Sequence, residues 1–285
     1  TSTDGARLTY SIVDMALDGG LGDVVSGQSR IRLDSPTLFT EKMTAVAGDS
    51  CDVWLMTMKF GAQEWMAFRI TDAGFDTTPV VSPTNTSIAT YRNGYIAFSP
   101  DRHKLANVVG ASDFTGPFMG TLEISDFDPA TGIVSNVIDL VPQAKKPSLI
   151  FSRGVAFSPD GTKVYVTSDS VYQWNLAAGT TADIIASRIG VMSGVPITSA
   201  LKTGPDGKIY ITHEALAYGF LHAIESPNLS GMACNPVKDA VALKANTLGR
   251  QGVPNTVAVA IPRPTEYVRH PDTTVCITTS GNLLE

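Results

Sequence analysis

A stretch that occurs three times constrains this chain more than any other feature. Ala156 to Leu176 reads AFSPDGTKVYVTSDSVYQWNL, with weaker copies on either side: AFSPDRHKLANVV from Ala97 and KTGPDGKIYITHEALAYGFLHAIE from Lys202. Repetition on this scale fixes the architecture before any single strand is assigned, because each copy must be a supersecondary unit packed against its neighbours. Within the central copy, Pro159 fixes its own φ, Asp160 can bond nearby amides and Gly161 tolerates positive φ. The trio therefore forms a tight turn between antiparallel strands, and so do Pro100 with Asp101, and Pro205 with Asp206 and Gly207. The apolar GVAFS precedes the central turn, and the alternating VYVTS follows it. After the turn residues Ser168 to Ser170, VYQWNL supplies a third strand. Loss of Gly161 or Gly207 would strain these turns and disturb folding before any binding.

Three short strands in a repeated meander make most of a four-stranded propeller blade. The interval from Pro100 to Pro159 is wider than that from Pro159 to Pro205, so it contains an insertion or longer loops. Upstream, KMTAVAG, DVWLMTM and EWMAFRITDAG repeat the rhythm without the Pro-Asp-Gly signature, and GIVSNVIDL reads as a fourth strand after the turn DFDPATG. Blades are expected over residues 41–90, 91–148, 149–198 and 199–247. LTYSIVDMAL near the start, with VAVAIP and TTVCITTS near the end, are further strands. A blade assembled from both ends of the chain would remove free sheet edges. The expected fold is all-β, a propeller of four-stranded antiparallel blades, about six in number with about five or seven as alternatives. Residues 1–285 are read as one propeller domain. NLAAGTTADIIASRI is the best apolar helical candidate, but Gly179 and two threonines interrupt it.

Composition narrows the function classes. The net charge is −6, with basic residues scattered singly, so the basic stripe that nucleic acid requires is missing. No apolar run is long enough to span a membrane as a helix, and TSTDGARLTY lacks the features of a signal peptide. Cys51, Cys234 and Cys276 do not make a disulfide scaffold and lack CxxC spacing; at most one bridge is expected.

The ordered set LTYSIVDMALDGGLGDV, DFDPATGIVSN, AFSPDGTKVYVTSDSVYQWNL, GPDGKIYIT and SPNLSGMACNPV resembles the YVTN/WD40-like β-propellers of large secreted bacterial proteins that use the type IX secretion pathway. The likeness runs from about Leu8 to Val257. It implies an extracellular or cell-surface module within a larger multidomain protein, placed beside adhesive repeats and a sorting domain. Members of that group carry further propeller sequence before the counterpart of LTYSIVDM, and TTVCITTSGNLLE is similar to that earlier region. The resemblance thus implies a fragment, or a permuted or tandem arrangement.

Candidate chemistry is sparse. His103, His213, His222 and His270 are dispersed, and the spacing of His213 and His222 matches no zinc motif. DFDPATG, from Asp126 to Gly132, has Thr131 where a calcium loop needs glycine, so it reads as a hairpin turn. GGLGD, from Gly19, has no following Gly-Lys-Ser or Gly-Lys-Thr to cradle phosphate. Glu64, Glu123 and Glu214 stand isolated, and no serine lies in a GxSxG elbow. No cofactor, metal site or catalytic residue is assigned. Trp54 and Trp174 sit inside strand patterns and should pack between blades, whereas Trp65 lies near a turn and should be exposed.

The expected function is a non-enzymatic interaction or adhesion module for protein or glycan, with Trp65, Tyr91, Arg92 and Tyr218 as the binding candidates. The alternative is a propeller hydrolase or lactonase with a metal or carboxylate site in the central channel, where Arg69, Arg92, Arg153 and Arg250 are the basic residues of interest.

Overall fold

Each repeat copy closes a four-stranded antiparallel sheet in the computed structural model. It describes residues 8–33, 38–84, 94–109, 120–141, 152–194, 199–212, 219–249, 252–253 and 257–258. Blade I comprises Phe39–Ala47, Val53–Lys59, Glu64–Thr71 and Val80–Pro83. Blade II runs Ile96–Phe98, Lys104–Val109, Thr121–Phe127 and Val134–Asp139. Blade III runs Val155–Phe157, Lys163–Thr167, Ser170–Asn175 and Ile189–Ser193. Blade IV runs Leu201–Thr203, Ile209–Ile211, Phe220–Ile224 and Pro236–Ala242. The first strands of successive blades are neighbours, which is the propeller arrangement. Four blades lie within the described residues; the end strands on which the larger count rested fall partly outside them.

The turns explain the repeat. In blade III the Ser158 hydroxyl donates to Asp160 at 2.6 Å and accepts from the Lys163 amide at 2.9 Å, while Gly161 takes φ +71°. Blade II reproduces this with Ser99 and Asp101, but Arg102 occupies the glycine position at φ +70°. Blade IV has Gly204 instead of serine, and a side chain there would strike the Tyr210 ring at 2.7 Å. The Tyr210 hydroxyl replaces the missing serine by donating to Asp206 at 2.7 Å.

Apolar clusters fill the seams between blades, so the core is a series of interfaces. Trp54, Met56 and Trp65 of blade I meet Ile96, Phe98 and Phe127 of blade II. Val108 and Leu122 meet Phe157, Val164 and Trp174 at the next seam. Tyr165 and Val171 then meet Leu201, Ile209 and Ile224. The turn DFDPATG belongs to this packing: the carbonyl of Pro129 accepts from Trp54 Nε1 at 2.9 Å.

Both terminal segments reach blade I, as expected of a shared blade, but among the described residues only the strand near the C-terminus joins its sheet. Thr9–Tyr10 pairs with Ile31–Arg32, and Val13–Asp14 with Asp23–Val24, so the N-terminal segment folds back on itself. Its base docks on blade I through Tyr10, stacked on Phe75 at 5.1 Å. From the other end, Val257–Ala258 lies parallel to Ala45–Val46 of blade I. The apolar helical candidate yields one short helix, Thr181–Ala186, started by a Thr180–Asp183 capping box. Cys51 is disulfide-bonded, and Cys234 is a buried free thiol.

Candidate functional site

Alternation along the first strand of blade I sends Thr40, Lys42, Thr44 and Val46 inward and leaves Glu41 and Met43 exposed. Lysine at an inward position is unusual, since its ammonium must leave water. Lys42 is only 2 % exposed and extends into the seam with blade II. There its Nζ donates to Asn107 Oδ1 at 2.8 Å. Asn107 Nδ2 donates in turn to Glu123 Oε2 at 3.0 Å, which also accepts from Thr84 Oγ1 at 3.2 Å. Asn107, Glu123 and Thr84 are all buried. Three strands from two blades thus assemble one polar chain inside an otherwise apolar interface.

Burial lowers the Lys42 pKa to about 7; the carboxylates of Glu123 and Glu41 oppose the shift without cancelling it. The amine therefore exchanges its proton near neutrality, as a general base must. Backbone crowding holds it in place. Gly94 has φ +128°, and a methyl group there would lie 2.1 Å from the Val108 carbonyl oxygen and 3.1 Å from Lys42 Cε. Only glycine lets the chain cross this close to the lysine stem.

Lys42 also contributes to a pocket of about 240 Å³ at the N-terminal ends of the first strands of blades I to III. Glu41, Lys42, Gly94, Tyr95, Arg153 and Val253 are among its walls. The Arg153 guanidinium reaches Glu41 at 3.4 Å. A pocket below the roughly 300–1,000 Å³ of drug-sized sites suits a small polar molecule. Its lining residues bring together a lysine, a glutamate and an arginine.

Most of the residues predicted from sequence lie away from this pocket or outside the described residues. Trp65, expected to be exposed, has 0 % exposure and packs in the seam between blades I and II; its strand turns it inward, so proximity to a turn did not expose it. Tyr91, Arg92 and Tyr218 lie outside the described residues, as do His213, His270, Glu214 and Arg250. Arg69 pairs with Asp52 beside the Trp54 ring, away from the pocket. Of the two described arginines singled out in sequence, Arg69 and Arg153, the second lines it. Among the described residues, no three His, Cys, Asp or Glu side chains converge as a metal group. Lys42 and Asn107 escaped the sequence reading, although a polar residue at an inward strand position was the available signal.

Neither a family model nor a curated protein matches this chain. Several solved structures share its general form. A periplasmic gluconolactonase of Pseudomonas aeruginosa is 17 % identical, covers 93 % of this chain and 68 % of its own, and has a TM-score of 0.47. An oligogalacturonate lyase in complex with manganese is 10 % identical over 76 % of this chain and 57 % of its own, with a TM-score of 0.43. The Dos1 propeller is 8 % identical over 76 % of this chain and 53 % of its own, with a TM-score of 0.44.

The expectation of a non-enzymatic adhesion module is corrected on structural grounds. The proposed aromatic anchor Trp65 is buried, and the described pocket is a small recess lined by Lys42, Glu41 and Arg153 instead of a broad aromatic face. The fold is read from the chain's own strand order: a β-propeller of four-stranded antiparallel blades.

Proposed function

We propose that the protein is a propeller hydrolase acting on a small lactone or ester in the pocket that Lys42 helps to line. One observation carries this reading: Lys42, whose buried amine is brought to a pKa of about 7 by desolvation, is among the residues that line a pocket able to hold a small molecule. Neutral Lys42 takes a proton from water as the water oxygen bonds to the substrate carbonyl carbon. Collapse then breaks the bond to the alkoxide oxygen, and the Lys42 ammonium returns the proton to that leaving group. Asn107 and Glu123 act as positioning residues, because their hydrogen bonds fix where the amine sits.

The test is turnover of aldonolactones and short-chain esters by the whole chain, against Lys42→Met. Activity that rises through about pH 7 and is lost in the variant supports the reading. Equal rates in both proteins, or no turnover of either substrate class, would remove it.

The setting we propose is extracellular, in a protein allied to the YVTN/WD40-like propellers of type IX secretion. The run of motifs from about Leu8 to Val257 supports this, and so does the disulfide at Cys51, since such bonds persist in oxidising compartments.

A further inference from the structure

We infer that Arg153 makes the pocket selective for a substrate that carries an oxyanion, a carboxylate or a phosphate. The inference rests on the pocket being the substrate site of the proposed hydrolase, and it names what that substrate must bear.

The backbone around Arg153 is fixed. Its amide donates to the Thr167 carbonyl at 3.2 Å, and the next amide, of Gly154, donates to Thr167 Oγ1 at 2.9 Å. Gly154 is pressed so close to blade IV that a methyl group would lie 2.6 Å from the Ser199 carbonyl oxygen. The guanidinium therefore projects from a rigid base, which is the arrangement that makes recognition specific.

The guanidinium itself is under-used. Its Nε is fully buried and has no hydrogen-bond partner, and its contact with Glu41 is long, at 3.4 Å. Arginine presents five donors in a planar fork that fits an oxyanion through two parallel bonds. Glu41 is 45 % exposed and can yield to a better-placed anion. Glu123 lies behind Lys42 in the seam, bonded to Asn107, so it balances Lys42 without competing for Arg153. Glu41 is thus a stand-in for the substrate oxyanion, and its removal should open the fork.

Two measurements test this on the whole chain. Calorimetric titration with inorganic phosphate and with D-glucarate should show saturable binding. We expect Arg153→Met to weaken it about tenfold or more, and Glu41→Gln to strengthen it several-fold. The opposite signs separate recognition from a general loss of folding. The probe that binds more tightly distinguishes phosphate from carboxylate as the group read. Kinetically, D-glucaro-1,4-lactone should be favoured over neutral D-glucono-1,4-lactone through KM, and Arg153→Met should erase that preference. Unchanged oxyanion binding in both variants overturns the inference. Oxyanion binding without cleavage of any lactone would sink the hydrolase reading and leave Arg153 as an anion receptor. Cleavage of both lactones with no preference and no oxyanion binding would do the reverse.

Discussion

Lys42 Nζ donates to Asn107 Oδ1 at 2.8 Å across the seam between two blades, from a position where neither side chain meets bulk water. The stability of the fold should therefore respond to pH in the alkaline range. The folded pKa of Lys42 is lowered from 10.5 to about 7, so between these values the unfolded chain binds more protons than the folded one. Stability from this group is poorest below about pH 7 and recovers as pH rises towards 10.5. Urea unfolding of wild type and Lys42→Met between pH 7 and 10 should show wild type gaining on the variant as pH rises. Parallel profiles would mean that Lys42 is not buried as described.

What the sequence disclosed followed the repeat, and what it concealed lay off it. Asp160 and Gly161 announce their turn because proline, aspartate and glycine each have one local reason to be there. Lys42 has no such local reason. It opens KMTAVAG, in a blade without the turn signature, where an isolated lysine reads as solvated. Its meaning comes from Asn107 and Glu123, which belong to a different blade and come near only when the seam closes. Trp65 failed for a related reason: nearness to a turn says nothing about which sheet face a residue occupies, and its register with Met58 turns it inward.

Arg102 tests whether backbone strain is retained for a contact. It sits at φ +70° where the other copies have glycine, yet its Nη1 donates to the carbonyls of Ala47 and Gly48 at 3.1 and 3.0 Å and pairs with Asp49. Arg102→Gly relieves about 1–2 kcal/mol of left-handed strain but loses charge-assisted bonds of about 1.5–3 kcal/mol. A net loss of about 1 kcal/mol is expected for glycine, with a larger loss for Arg102→Ala, which keeps the strain. Urea midpoints should fall in the order wild type, glycine, alanine. A glycine variant more stable than wild type would show that the bridge to blade I contributes little.

Glycines at similar φ should differ in what they tolerate. At Gly161 a methyl group would meet nothing nearer than the Pro100 ring at 3.8 Å, so Gly161→Ala should cost only the backbone term, about 1–2 kcal/mol. At Gly132, φ is +76° and the same methyl group would lie 2.7 Å from the Trp54 ring, which is held by its bond to Pro129. Gly132→Ala should cost about 2–4 kcal/mol, because overpacking adds to the strain. Thermal unfolding of the two variants gives the comparison. Equal losses would show that the Trp54 ring moves freely.

The turn carboxylates should govern behaviour in acid. Burial pushes the Asp160 carboxyl up, but hydrogen bonds from the Ser158 hydroxyl and from the amide and hydroxyl of Thr162 outweigh it and hold it below the usual range. Asp101 follows the same pattern: burial is opposed by the Ser99 hydroxyl and the His103 amide. For Asp206 the Tyr210 hydroxyl is the largest influence, and it too lowers the pKa. A carboxyl whose folded pKa lies below its unfolded value stabilises the fold above about pH 4 and loses that contribution as pH falls through the folded value. All three turns therefore loosen together in acid. Asp101→Asn combined with Asp160→Asn removes two of the three titrations while retaining a side-chain oxygen to accept the turn bonds. The double variant should start less stable at pH 6 and show a shallower decline in urea midpoint between pH 5 and 2.5. If wild type and variant decline by the same amount, acid sensitivity originates elsewhere, and the serine–aspartate pairing in the repeat shapes the turn without setting its response to pH.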